Sequence, residues 1–350
     1  MSTFIRYRGI ATALSSIALL LTFPFVANEF WVMHVAGQTF GFGTIVLSLI
    51  FLVAFGGMLS LAQMTVAGVA GYALAYCTSP GTALGWAAAL PISLGCAVVS
   101  SIAIGFVAVR TEGIYTLMIT LAIAMGFYSL VLGNYTVFNG YTGYTQVPVP
   151  VVLGISLQGP QVFYYLNLAF AAFCFALVRH LATTPFGLAL QAARDNPRRL
   201  RALGYPIAAL RVMAFGVAGL IAGIGGILNV WLNGSISPGS VDIGATINVL
   251  IAAVLGGLRH PIGAFVGAFA FTVLQSLTIE FIAPERFNTI IGLVFIAVVV
   301  FSPDGIVGAW RLASRRLELG LSLLRQRAAN ASAAPDSNRV HDAPGGNTHV

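Results

Sequence analysis

Side chains able to act on a small molecule are few in this sequence, and most are amides and hydroxyls in or beside long apolar runs: Gln63, Thr65, Thr116, Asn229, Asn233, Asn248 and Gln275. Such groups exchange hydrogen bonds with a polar solute moving past them and leave it covalently unchanged. Each can equally bond a neighbouring helix, an interaction worth about 0.6 kcal/mol on average in a membrane. Gln63 heads the set because it follows the Gly56-Gly57 pair, which reads either as a short turn or as a break where backbone lines a cavity. No Ser-His, His-His or paired-carboxylate constellation lies within the apolar runs, which weighs against an intramembrane enzyme. The chain has no lysine and hence no GxxxxGK[ST] loop, so it cannot hydrolyse ATP in the P-loop manner. Cys77, Cys96 and Cys174 form no CxxC pair and have no His at ligand spacing, so they are expected to be small core residues, with no metal site.

A second concentration of functional groups lies in the loop Thr183-Thr184-Pro185-Phe186-Gly187-Leu188-Ala189-Leu190-Gln191-Ala192-Ala193-Arg194-Asp195-Asn196-Pro197-Arg198-Arg199-Leu200-Arg201-Ala202-Leu203-Gly204. Its punctuation predicts two short helices. Thr184 suits an N-cap with Pro185 at the first helical position, Asn196 and Pro197 repeat the arrangement, and Gly204 suits the residue after the stop. A plain link between membrane helices needs only about 2 to 8 residues, so a helix pair here suggests a docking surface for a partner. An amphipathic element lying on an anionic leaflet would also suit Arg198, Arg199 and Arg201.

These groups must be positioned by membrane helices. Hydrophobic residues make up 58% of the chain and charged residues 8%, more apolar side chain than a soluble core of this length can bury, so the surplus faces lipid. Between Ile10 and Val109 the single Asp, Glu, Lys or Arg is Glu29. The abundance of glycine favours closely packed helices over a barrel. Apolar windows predict an all-α polytopic membrane protein with about ten transmembrane helices, near 9–27, 40–56, 60–78, 86–108, 114–133, 161–178, 212–232, 244–257, 261–279 and 287–303, some short or discontinuous. Gly219, Gly223 and Gly226, like Gly263 and Gly267, are spaced as helix-packing faces.

The net charge of +7 is carried by arginine and sits in short loops beside apolar spans, which points to a membrane and away from nucleic acid. With a cytoplasmic N-terminus and alternating spans, every arginine of the first 310 residues except Arg286 falls on the inner side. Both termini are then cytoplasmic. Arg6 and Arg8 before an apolar run could also mark a cleavable signal, but the run is longer than such a segment needs. An uncharged loop over 134–161 is placed outside. Residues 1–310 read as one membrane domain, with an inner loop at about 180–211, and 311–350 as a basic and then disordered tail.

Taken in order and spacing, five stretches resemble the permeases of branched-chain amino acid ABC transporters, the LivM-type subunit in particular. They are Gly57-Met58-Leu59-Ser60-Leu61-Ala62-Gln63, Arg110-Thr111-Glu112-Gly113-Ile114-Tyr115-Thr116-Leu117, the 185–204 loop, Leu255-Gly256-Gly257 and Phe301-Ser302-Pro303-Asp304-Gly305. The resemblance implies that Pro185, Phe186, Gly187, Leu190, Ala193, Arg194, Asn196, Leu200, Leu203 and Gly204 belong to the element that couples to a partner ATPase. It also implies a bacterial-type inner membrane, two cytoplasmic ATPase subunits that bind ATP and magnesium, a homologous permease and an extracytoplasmic solute-binding protein. The chain itself would bind no cofactor. It departs from the commoner pattern at Ala62-Gln63, where Gly-His is frequent, and at Pro197. A stand-alone secondary carrier or channel for amides, urea or amino acids is the alternative reading.

Overall fold

The computed structural model describes residues 20–25, 28–79, 85–111, 113–152, 155–156, 159–281, 287–301 and 304–310. The first expected span (9–27, with Arg6 and Arg8 before it), the loop carrying Glu285 and Arg286, Glu112, the Ser302-Pro303 pair and the 311–350 tail lie wholly or largely outside these residues. The chain divides into two compact units, 1–307 and 308–350, and the second is described only at Gly308, Ala309 and Trp310.

Each of the other nine expected spans is found as a helix: α1 (Trp31–Gly56), α2 (Gln63–Thr78), α3 (Trp86–Ala108), α4 (Ile114–Gly133), α5 (Pro160–Thr183), α8 (Ile207–Asn233), α9 (Ile243–Gly256), α10 (Ile262–Phe281) and α11 (Phe287–Phe301). Between α5 and α8 stand the short α6 (Pro185–Asp195) and α7 (Pro197–Ala202). Among the described residues, five helices, α1, α3, α4, α5 and α8, are long and apolar enough to cross a membrane unaided. At about 1.5 Å per residue, the 16 residues of α2 and 14 of α9 fall short of a hydrocarbon core of about 30 Å.

Burial sorts the helices into centre and periphery. In α1, 83% of the apolar window is buried and in α8 61%, against 28% in α3 and 22% in α4, so the first pair forms the axis of the bundle. Close approach is made possible by glycine. A Cβ at Gly226 would fall on the carbonyl of Ala67 in α2, one at Gly219 or Gly223 would strike Ser101 or Ala97 of α3, and one at Gly225 would strike Ile45 of α1. Gly263 and Gly267 likewise admit the backbone of α9 near Gly256. The glycine spacing is thus a packing signal, as lipid-immersed helices require. Cys77 and Cys174 are buried as expected, but Cys96 is exposed. Its position on the largely uncovered α3 is set by which helix face finds a neighbour, and the small side chain gives no hint of that.

Because successive spans alternate in direction, the described arginines gather at one end of the bundle: Arg110 after α3, Arg179 late in α5, the α6–α7 group, Arg211 in the first turns of α8 and Arg259 after α9. Glu29, Asp242 and Glu280 stand at the opposite end, where no described arginine is found. That end is closed by the 134–159 connection. Its Tyr144–Thr145 strand pairs antiparallel with Ser235–Ile236 after α8, and Val147 N donates to Gly234 O at 2.8 Å. At the arginine-bearing end two distant motifs meet: Cβ atoms on Gly257 or Gly305 would collide with the other segment's backbone, and Arg259 pairs with Asp304 at 3.3 Å.

Candidate functional site: a docking loop, a helix joint and a polar cleft

The caps inferred for the arginine loop form. Thr184 Oγ1 accepts from Gly187 N at 3.3 Å, Asn196 Oδ1 accepts from Arg199 N at 3.0 Å, and both prolines occupy first helical positions where a missing N–H costs nothing. Gly204 takes the left-handed conformation at φ 84° and ends α7. Gly187 is required by proximity: a Cβ there would overlap the carbonyl of Leu181, so α6 folds back tightly on the end of α5.

The loop residues divide by the face they occupy. Leu190 and Ala193 are 0% exposed and Leu200 6%, and with Gly187 they hold the helix pair against the bundle. Leu203 at 70% and Leu188 at 58% are exposed beside Arg198, Arg199 and Arg201. Asn196 and Gly204 are exposed caps, and Phe186 is half-buried against Ala193 and Leu200. Four of the ten expected docking residues therefore support the surface from beneath.

Arg194 joins the loop to the break after α1. Gly57 adopts a left-handed φ of 65°, which turns the Met58 amide onto Leu52 O at 3.1 Å. A helix end leaves its last carbonyls without intrahelical donors, and Arg194 Nη1 donates to one of them, the carbonyl of Ala54. The same guanidinium meets Asp195 through Nε at 2.9 Å and Nη2 at 2.8 Å. A Cβ on Gly57 would strike the Arg194 stem, so glycine serves here both for its conformation and for the space it leaves.

The linker beyond Gly57 leads to Gln63, which is 1% exposed. Ser48 Oγ of α1 donates to Gln63 Oε1 at 3.0 Å, while Gln63 Nε2 and Thr65 Oγ1 are buried without a partner. Such groups carry a desolvation cost. The linker is clasped by α4, where Thr120 Oγ1 accepts from Leu61 N at 3.0 Å and itself donates to Thr116 O. Thr116 donates to Thr111 O at 3.0 Å and so ties the first turn of α4 to the residues after α3.

A polar cleft opens towards the other end. Asn229, Asn233, Ser235 and Ser240 line it with Met64, Ala67, Gly68 and Val241, and its cavity volume is about 30 Å³. That is room for roughly two waters. Asn233 Nδ2 donates to Asn229 Oδ1 at 2.7 Å. Among the described residues, no ionisable one lines the cleft. The structure thus brings Asn229 and Asn233 together, but places Gln63, Thr65, Thr116 and the half-buried Asn248 outside the cleft lining. Gln275 lies in α10, where its Oε1 is 3.5 Å from Gln38 Nε2.

Residues 31–299 match the family described as branched-chain amino acid transport system / permease component. The chain belongs to that permease family. Its relatives include the autoinducer 2 import system permease protein LsrC of Escherichia coli O157:H7, 34% identical over 199 residues that make up 55% of this chain and 53% of LsrC. The LsrC of Salmonella choleraesuis is 28% identical over 86% of this chain and 87% of its own length. The high-affinity branched-chain amino acid transport system permease protein LivM of E. coli K12 is 24% identical over 64% of this chain and 58% of LivM. This chain thus spans about half the length of the first of these relatives and a little more than half of LivM.

In this permease, sequence reasoning overlooked Ser48, Thr120, Ser235 and Ser240. A hydroxyl in an apolar helix most often bonds back to its own preceding turn, as Thr44 does to Phe40 O at 2.8 Å, so its sequence context does not separate a local bond from a cross-helix one. Ser235 and Ser240 carried a usable signal: they flank the Pro238-Gly239 turn directly after Asn233.

Proposed function

We propose that this chain is the membrane-spanning subunit of an ATP-driven importer for small polar solutes, with branched-chain amino acids as the first solutes to test. The arginine-bearing end faces the cytoplasm. One of two ATPase subunits, which bind ATP and magnesium, docks on the exposed face of α6 and α7; the second ATPase, a homologous permease and an extracytoplasmic solute-binding protein complete the complex. The observation that carries this reading is the loop itself, a doubly capped helix pair anchored inward by Leu190, Ala193 and Leu200 while Leu188 and Leu203 remain uncovered.

The solute route runs between α1, α2 and α8. Its outer mouth is the Asn229–Asn233 cleft, and with room for only about two waters this conformation is closed. Val241 over Gly68, and Ile236 and Val230 over Gly71, form the seal. ATP-driven movement of the docked loop would part these helices and expose Gln63 and Thr65. The stronger identity to LsrC, a permease of autoinducer 2 import, makes autoinducer 2 the second solute to test.

The test is purification of the tagged chain in mild detergent with quantitative mass spectrometry of what accompanies it, followed by uptake in vesicles. Stoichiometric P-loop ATPases and uptake that requires ATP support the reading. A chain recovered alone that moves solute down an ion gradient would establish the secondary-carrier alternative instead.

A further inference from the structure

We infer that Arg194 is a positioning residue that ties the docking loop to the joint after α1, so that displacement of the loop moves the Gly57–Gln63 linker. The inference rests on the importer reading for its role in transport, but its mechanical part stands on geometry alone. Arg194 lies on α6 beside Ala193, which is sealed against the bundle, and its guanidinium spans to the terminal carbonyl of Ala54. Asp195 holds that guanidinium from the outside through Nε and Nη2, leaving Nη1 directed at the helix end. The target is the C-terminal end of α1. Left-handed Gly57 lets the chain leave the helix there, and six residues later it delivers Gln63, whose amide nitrogen is buried and unpartnered while its oxygen is held by Ser48 of α1.

A rigid contact at a flexible joint transmits motion, whereas a contact in the middle of a helix would only add stability. Leu190 packs over Gly56 beside the tether, so a tilt of α6 would press the start of the linker while Arg194 pulls the end of α1. Met64 and Ala67, which follow Gln63 on α2, line the cleft. The Arg194 contact therefore offers a covalently short route from the ATPase surface to the solute route. Lysine could reach the carbonyl with one donor but could not meet Asp195 through two nitrogens at once.

The experiment uses the full chain with its three native cysteines replaced by alanine and a reporter cysteine at Leu59→Cys, in membranes and in the purified complex. Arg194→Gln is expected to raise the thiol-labelling rate at position 59 by roughly tenfold, as expected for losing one charge-assisted hydrogen bond, with Arg194→Lys intermediate. In the complex, Arg194→Gln should lose at least about tenfold in solute moved per ATP. Unchanged labelling, an unchanged ratio of transport to hydrolysis, or failure of Arg194→Gln to retain the ATPases would overturn the inference, the last by making Arg194 part of the docking contact itself. If the parent chain shows no ATP-dependent uptake, the importer reading fails, while the labelling result still decides whether Arg194 holds the joint.

Discussion

The two ends of this permease are built in opposite ways. At the arginine-bearing end, a continuous run of about twenty residues makes a surface whose every start and stop is encoded next to itself: Thr184 before Pro185, Asn196 before Pro197, Gly204 after α7. At the other end, the cleft is assembled from α1, α2, α8 and the 235–241 segment, and closed by a strand pairing between residues about ninety positions apart in sequence. The first is local chemistry and can move as a unit. The second exists only when the bundle packs, so a change anywhere along its seams can alter it.

The sharpest way to break that contrast is at the α2–α8 seam. Gly226→Leu places a side chain where the Ala67 carbonyl lies, and overpacking against backbone is expected to cost about 3 kcal/mol. The detergent-solubilised chain should lose its monodisperse peak on heating at a clearly lower temperature than wild type. Gly133→Ala is the matched control, since nothing lies within 4 Å of a Cβ there. Equal thermal behaviour of the two variants would mean that α2 and α8 do not meet as described.

Next in size is a pair in the loop. Leu200→Asp buries a charge and should lower stability by about 3 kcal/mol, whereas Leu203→Asp changes a residue that is 70% exposed and should leave thermal stability as it is. The second variant should instead reduce ATPase co-recovery and ATP-driven uptake at least about tenfold, as expected for a charge placed in an apolar contact. Wild-type uptake by Leu203→Asp would remove the exposed face of α7 from the docking role. A smaller change is expected in the cleft: Asn233→Leu removes the hydrogen bond to Asn229 and should raise the half-saturating solute concentration several-fold, read from initial uptake rates with ATPase recovery as the control.

Much of the fold was legible because lipid imposes it. Apolar windows and arginine placement located nine helices, and glycine spacing anticipated the contacts of Gly219, Gly223 and Gly226, since close packing without a hydrophobic force needs small residues. The loop was legible through its caps. What escaped was direction. Leu200 and Leu203 look alike in sequence, yet one turns inward and the other out, because a six-residue helix carries too few turns to define an apolar face. The tether escaped for another reason. Arg194 reads as one more positive charge in an inner loop, and its acceptor is a main-chain carbonyl 140 residues away, a partner with no residue-type signature.

The smallest expected effect concerns the closure of the end opposite the arginines. Tyr144 donates its phenol O–H to Val137 O at 2.8 Å and belongs to the strand that pairs with Ser235–Ile236. Burial, and next the neighbouring Tyr76, push its pKa above the ordinary tyrosine value. The neutral phenol is the form the folded loop favours, so its contribution is complete below about pH 10, the unfolded value, and is lost as pH rises through the folded value. The deprotonated oxygen can no longer donate to the Val137 carbonyl. Limited proteolysis of the 134–159 connection should therefore accelerate above about pH 10 in the wild type. In Tyr144→Phe, cleavage at neutral pH should already be faster, by an amount matching about 1 kcal/mol, with a flatter alkaline response. An identical pH profile in the two proteins would show that the strand pairing and the Val147–Gly234 bond hold this end without the phenol.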